Sequence, residues 1–277
     1  MGGFWSVAIG AGLVVLWLSP AAAQGVSDCA LSVPETASVA EVVDGETVKL
    51  TDGAVVRLMG AKAPRPVGGR SPEDFPPAQA AKARLTELAQ GKPVALRYGG
   101  QRTDRYGRKL AQVFATGDGP PVWLQGALLE EGLARAYSLA DNEACIAVLL
   151  AKERVAREAA RGLWRLPDYR VRAASDRAGL YRLRGRFVVV EGEVADVASI
   201  RDWTYVNFDR DWREDFTVTV ARENAKAFAD AGLDLATLKG KRIRVRGWLE
   251  QLNGPMIEAD HAGQIEVLEP AAAAAAP

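Results

Sequence analysis

Val43-Asp44-Gly45-Glu46-Thr47-Val48, running on to Arg57-Leu58, decides the fold of the first half of this chain. Around it the apolar positions alternate through Val39, Val42, Val43, Val48, Leu50, Val55, Val56 and Leu58, with breaks at Asp44-Gly45 and at Thr51-Asp52-Gly53. Alternation with such breaks predicts strands joined by tight turns. Working outward, Ala78 to Gln90 follows Pro76-Pro77, is rich in Ala, Leu, Lys, Arg and Glu, and stops at Gly91, which predicts a helix. Val94 to Tyr98 and Lys109 to Ala115 read as strands on either side of a second informative stretch, Gly100-Gln101-Arg102-Thr103-Asp104-Arg105-Tyr106-Gly107-Arg108. Val122 to Glu131 reads as a helix closed by Gly132, and Asp141 to Arg161 as a long one, capped by Asp141 or Asn142 and ended by Gly162. This order suits a small barrel covered by helices.

The two quoted stretches resemble the staphylococcal-nuclease (thermonuclease) family over residues 38–164. That family combines a carboxylate-bound calcium, a glutamate that prepares water and two arginines that grip phosphate. The resemblance places Glu46 at the first metal-binding acid, Arg57 and Arg108 at the two arginines, and Asp104, Arg105 and Tyr106 in the loop that contacts phosphate and nucleotide. It also exposes a departure. Where the family carries a second metal-binding acid and its glutamate, this chain has Lys62-Ala63-Pro64-Arg65. Calcium takes six to eight oxygen ligands, so a cation at Lys62 removes a ligand and repels the ion. A guanidinium stays protonated, so Arg65 supplies no general base.

Basic and acidic residues number 35 each over 277 residues, so net charge gives no reason to expect indiscriminate nucleic-acid binding. Local charge differs. From Arg57 to Lys109 there are 12 basic residues against 4 acidic ones, a surplus that suits a phosphate-facing patch. Arg57, Lys62, Arg65, Arg105, Tyr106 and Arg108 are therefore the expected phosphate contacts, and Glu46 the one remaining metal-ligand position.

From Gly185 a second alternating region begins, with strands expected at Phe187–Val197, Trp203–Phe208, Phe216–Val220, Ile243–Leu249, Met256–Glu258 and Ile265–Leu268. A helix is expected at Arg222–Ala231, and Asn253-Gly254 is a hairpin signal. The layout resembles a second oligonucleotide/oligosaccharide-binding (OB) barrel of five strands, of the kind that accompanies some exported bacterial nucleases. Trp203, Tyr205, Phe208 and Trp212 are split between a stacking platform and core, with Lys239, Lys241, Arg242, Arg244 and Arg246 along one edge. From Arg170 onward, however, 16 basic residues face 17 acidic ones, which points toward protein docking or a structural role instead. His261, the single histidine, is expected at the surface.

The first 23 residues carry no charge, and the apolar run Val7 to Leu18 leads to Ser19-Pro20-Ala21-Ala22-Ala23, the pattern of a signal peptide cut before Gln24. An uncleaved anchor is the alternative. Export to the periplasm or beyond would allow Cys29 and Cys145 to form a disulfide, with two free thiols as the other case. The expected organisation is signal peptide 1–23, arm 24–37, thermonuclease-like domain 38–164, linker 165–184, OB-like domain 185–269 and an Ala/Pro tail 270–277. The fold class is α+β, mainly β. The expected function is binding of nucleic-acid backbone or another polyanion without a cofactor. Two alternatives stand beside it: a nuclease with a rearranged calcium site recruiting Glu73 or Asp74, and an envelope scaffold that meets a protein partner.

Overall fold

A computed structural model describes residues 29–66, 71 and 74–268. The signal-peptide and tail segments, and Glu73, lie outside them. The first unit is built from β1 (Glu35–Asp44), β2 (Thr47–Leu50), β3 (Val55–Leu58), β4 (Ala61–Lys62), α1 (Pro76–Ala89), β5 (Pro93–Arg97), β6 (Lys109–Ala115), β7 (Val122–Trp123), α2 (Leu124–Glu130), β8 (Arg135–Ala136) and α3 (Ile146–Glu158). β1 is long enough to serve two neighbours: Glu35–Ser38 pairs with β5, and Val39–Asp44 pairs with β2 across two register shifts. A parallel pairing of β3 with β6 then closes the ring β3-β2-β1-β5-β6 into a five-stranded barrel. Closure leaves these strands without an open edge.

The sequence explains the pieces. α1 starts with Pro76 and Pro77 in its first turn, where no intrahelical N–H is required, and buries Ala81, Leu85 and Ala89, one stripe at four-residue spacing. A Cβ on Gly45 would meet the Ala81 Cβ at 2.6 Å and the Ala63 Cβ at 2.9 Å, so the bend between β1 and β2 admits α1 only with glycine. α3 is shorter than the expected Asp141–Arg161 helix. Asp141 and Asn142 do not cap it; the Asp141 carbonyl accepts from Gln101 N–H, and the Asn142 amide donates to the Gln101 carbonyl. Those bonds hold the preceding segment against the Gly100 loop in two successive turns, Asn142 N–H donating to the Leu139 carbonyl and Ile146 N–H to the Glu143 carbonyl, so the helix is entered only at Ile146. Cys29 and Cys145, 116 residues apart, form a disulfide that ties the chain's described start to the head of α3.

The second unit comprises β9 (Arg172–Ala173), α4 (Arg177–Tyr181), β10 (Phe187–Glu193), β11 (Asp196–Ile200), β12 (Trp203–Asn207), β13 (Thr217–Ala221), α5 (Ala225–Asp230), β14 (Arg242–Trp248), β15 (Glu250–Leu252), β16 (Gly254–Glu258) and β17 (Ile265–Val267). These strands are divided between a four-stranded sheet, β17-β14-β10-β9, and a five-stranded one, β11-β12-β13-β16-β15, instead of forming a single ring of five. The Asn253-Gly254 signal holds: Asn253 adopts φ 60° and turns β15 back onto β16. Leu180 and Leu183 of the segment read as a linker are buried in the second core with Phe216, Phe228 and Ile257. Alternation identified the strands, but long-range pairing sorted them between sheets.

The two units meet along β4 and β8. These form a two-residue ladder, Ala61 opposite Ala136 and Lys62 opposite Arg135, with one cation on each strand. Phe187 at the start of β10 and Trp248 at the end of β14 lie against this ladder. Behind it, Glu153 of α3 accepts from Ala136 N–H at 2.6 Å, from Arg157 and from both terminal nitrogens of Arg246 of β14. Arg246 also donates to Glu266 at 2.6 Å. Arg246 was expected on a nucleic-acid edge; at 1 % exposure it is instead an interior residue locked between two glutamates. Replacing a guanidinium's water takes such partners.

Candidate nucleic-acid interface

Glu46 lies immediately before β2 and is 1 % exposed. Its Oε2 accepts from Ala63 N–H at 2.6 Å, and its Oε1 accepts from Arg65 Nη2 at 2.6 Å. Arg57, directly across the β2–β3 ladder from Thr47, brings Nη2 within 3.9 Å of the same oxygen. The carboxylate thus has a backbone donor on one oxygen and guanidinium charge on the other. Beside it is a cleft of about 570 Å³ lined by Asp44, Glu46, Ala63, Arg65, Gln79 and Lys82. Asp44 lines the same cleft two residues before Glu46, and its Oδ1 accepts from Glu46 N–H. The sequence reading passed over it, although the Asp44-Gly45-Glu46 spacing was the available signal. Asp74, proposed as a recruited acid, is exposed in the turn before α1.

Lys62, expected among the phosphate contacts, is drawn inward. It is 8 % exposed, with its Nζ 4.7 Å from the centre of the Trp248 ring, 5.5 Å from Tyr137 and 6.0 Å from Phe187. Two of those rings come from the second unit, which is why sequence spacing gave no sign of the enclosure. Burial pushes the ammonium down to about 8; Glu46 opposes the shift, while Arg65, Arg57 and Arg135 add to it. Next to it, Arg135 donates to the Phe187 carbonyl at 2.7 Å and is pushed down to about 10 by burial. Arg65 is the more accessible of the two replacements, with 58 % of its side chain exposed even while it holds Glu46.

The loop between β5 and β6 is organised by Asp104. Its Oδ1 accepts from the N–H groups of Tyr106 and Arg108, its carbonyl accepts from Gly107 N–H, and its Oδ2 pairs with Arg108 at 2.7 Å. Gly107 makes this possible at φ 78°. Burial raises the Asp104 carboxyl, but the bonds from Arg108 and the backbone outweigh it and leave the group below the usual carboxylate range. The outcome is a loop that holds Tyr106 outward at 68 % exposure, with the Arg105 guanidinium 4.9 Å and the Arg108 guanidinium 5.5 Å from its ring centre. Arg108 joins β6 beside β3, so both arginines are presented at the one parallel seam of the barrel. An aromatic ring flanked by guanidinium groups is suited to base stacking and phosphate contact together.

In the second unit Phe208 packs on Phe216 at 5.1 Å, while Tyr205 and Trp212 line a groove of about 430 Å³ with Asp196, Ile200, Asn207 and Leu252. Arg242 and Arg244 are paired with Glu191, and Lys239 with Asp196. Their charge is largely balanced within the unit. His261, expected at the surface, is 2 % exposed and bonded across the units to Ser138.

A five-stranded closed barrel with covering helices, an arginine on β3 and an Arg-Tyr-Gly-Arg loop entering β6 define a nuclease-type OB domain. Residues 55–166, from β3 to the end of the first unit, match the staphylococcal nuclease homologue family. The matched range begins at β3, so Glu46 lies upstream of it. A search of the curated proteins returned no match.

Proposed function

We propose that this protein is an exported binder of nucleic-acid phosphate backbone, in which the metal-dependent hydrolysis of the thermonuclease-type site has been replaced by charge pairing within the protein. The observation that carries the reading is the 2.6 Å bond from Arg65 to Glu46. Calcium takes six to eight oxygens and gains affinity with each carboxylate. Here Glu46 is already neutralised by Arg65 and Ala63 N–H, and the neighbouring position holds the ammonium of Lys62. The residues do not fit calcium. Arg57, Arg105, Tyr106, Arg108 and the exposed part of Arg65 remain to meet a polyanion, with guanidinium forks matched to phosphate oxygens.

The Cys29–Cys145 disulfide supports export to the periplasm or outside, an oxidising setting. Among the described residues, no helix is long and apolar enough to cross a membrane. The second unit, with its arginines balanced by glutamates, is assigned to protein docking or to covering the first unit.

Filter binding of single- and double-stranded DNA and RNA across a salt series tests the reading. Affinity should fall steeply with salt, and Arg57→Ala and Arg108→Ala should each flatten the log–log slope by about one unit. Binding that is absent at low salt, or indifferent to salt, counts against it. A second reading has Asp44 and Glu46, which share the cleft, holding a metal after Arg65 swings away. Calcium-dependent cleavage, lost with chelator and in Arg57→Ala, would establish that reading instead.

A further inference from the structure

Ser138 follows β8, and Asp260-His261 follows β16, so these residues come from different units and are more than a hundred positions apart. The fold nevertheless joins them in one chain of hydrogen bonds. Ser138 Oγ lies 2.6 Å from His261 Nε2, and His261 Nδ1 is bonded to Asp260 Oδ1. With the proton on Nδ1 and shared with Asp260, Nε2 is the acceptor of the serine hydroxyl proton. Serine to one ring nitrogen and carboxylate to the other is the geometry that activates a hydroxyl as a nucleophile; such sites are recognised by geometry, whatever the order in sequence.

All three line a cavity of about 220 Å³ between the units. Ser138 and His261 are buried, at 6 % and 2 % exposure, so the cavity is their route to a ligand. Arg246 lines the same cavity, and its buried Nε has no hydrogen-bond partner although its terminal nitrogens are saturated by Glu153 and Glu266. The wall also presents the rings of Tyr137, Phe187 and Trp248 and the carboxylates of Glu250 and Glu258. Burial, followed by the like charges of Glu250, Asp260 and Glu223, pushes the Glu258 carboxyl up, a sign of crowded negative charge. Phosphate would be repelled there. A cation would be favoured by both the rings and the carboxylates.

We propose that Ser138, His261 and Asp260 form a metal-independent catalytic centre, separate from the phosphate-binding face, that hydrolyses small cationic carboxylic esters in the cavity between the units. Ser138 Oγ bonds to the ester carbonyl carbon while its proton passes to His261 Nε2. The C–O bond to the alcohol then breaks, and the alcohol leaves with the proton from His261. Water attacks the acyl-serine, gives a proton to His261, and releases the carboxylic acid as Ser138 recovers its proton. Asp260 acts as a positioning residue, holding the Nδ1–H tautomer.

Incubation of the full chain with a fluorophosphonate probe, followed by mass spectrometry, should locate the adduct on Ser138. Acetylcholine should be hydrolysed in preference to an anionic carboxylic ester of similar size, and Ser138→Ala or His261→Asn should lower that rate by at least about 100-fold. Labelling should be lost in Asp260→Ala and partly recovered in Asp260→Glu. Circular dichroism and melting of each variant separate loss of fold from loss of chemistry. A folded wild-type chain that takes no label at Ser138 overturns the proposal, as does turnover that survives Ser138→Ala; in either case the three residues serve only to join the units.

Discussion

Arg65 Nη2 and Glu46 Oε1 are 2.6 Å apart, 19 positions distant in sequence and joined beside the cleft that the barrel and α1 create. A charge-assisted bond of this kind is roughly twice as strong as a neutral one, and it is made to a carboxylate that is almost wholly buried. The pair satisfies a group that would otherwise be costly to keep charged. It also takes from the cleft the oxygen that a metal would need.

Restoring acids at both altered positions should reverse this. In the double variant Lys62→Asp, Arg65→Glu, the local charge changes from two positive groups to two negative ones. Calorimetry should register calcium affinity at least about tenfold above wild type, in keeping with affinity set by carboxylate number. An unchanged calcium isotherm in a folded double variant would show that Arg65 is not what keeps the ion out.

Lys62 should make stability depend on pH in a defined window. Its ammonium is pushed down to about 8 in the folded chain from an ordinary value of 10.5. Between these values the unfolded chain binds more protons than the folded one, so stability rises as pH rises. Below the folded value the cost of burying the charge is present in full. Urea unfolding should show a gain of about 2 kcal/mol between about pH 7.5 and 9.5, and Lys62→Met should flatten the curve.

Tyr106 should matter for single strands more than for duplex. Its ring stands out of the Asp104-organised loop between two guanidinium groups, free to stack on an unpaired base. Tyr106→Ala should weaken single-stranded binding by about 1–3 kcal/mol and leave the salt slope unchanged. Equal losses on single- and double-stranded probes would speak against stacking.

Glu153→Ala should loosen the docking of the two units. It removes the acceptor shared by Arg157, Arg246 and Ala136 N–H, leaving the buried Arg246 with Glu266 as its remaining carboxylate. Breaking one partner of a buried pair costs about 3–5 kcal/mol. The measurable result is a lower melting temperature and faster proteolysis within residues 165–186, where the chain passes between units.

The Cys29–Cys145 link should stabilise the first unit. It closes a loop of 116 residues, and removal of a native disulfide costs about 2–5 kcal/mol. The Cys29→Ala, Cys145→Ala double variant should unfold at lower denaturant than the oxidised chain and match the reduced wild type.

The first unit was largely legible because its signals are local. Asp44-Gly45-Glu46 marks a bend that only glycine can make beneath α1, and the Asp104 to Arg108 run is a self-contained loop whose bonds lie within four residues. The helix at Asp141–Arg161 was overextended for the opposite reason: the bonds that keep Asp141 and Asn142 out of α3 come from Gln101, forty positions away. The surroundings of Lys62, Arg246 and His261 were illegible on the same ground. Each is enclosed by residues of the other unit, and a polar side chain carries no mark of a distant partner.

By itself, the sequence determined the barrel strands and the local surplus of cations, Arg57, Lys62, Arg65 and Arg108 among them, because periodicity, turn residues and charge are properties of neighbouring positions. Tertiary structure decided that Arg65 neutralises Glu46, that Lys62 lies beneath Trp248, and that Ser138 meets His261. Those outcomes depend on which surfaces exclude water from one another when the two units close, and desolvation is set by the packed whole rather than by any stretch of chain.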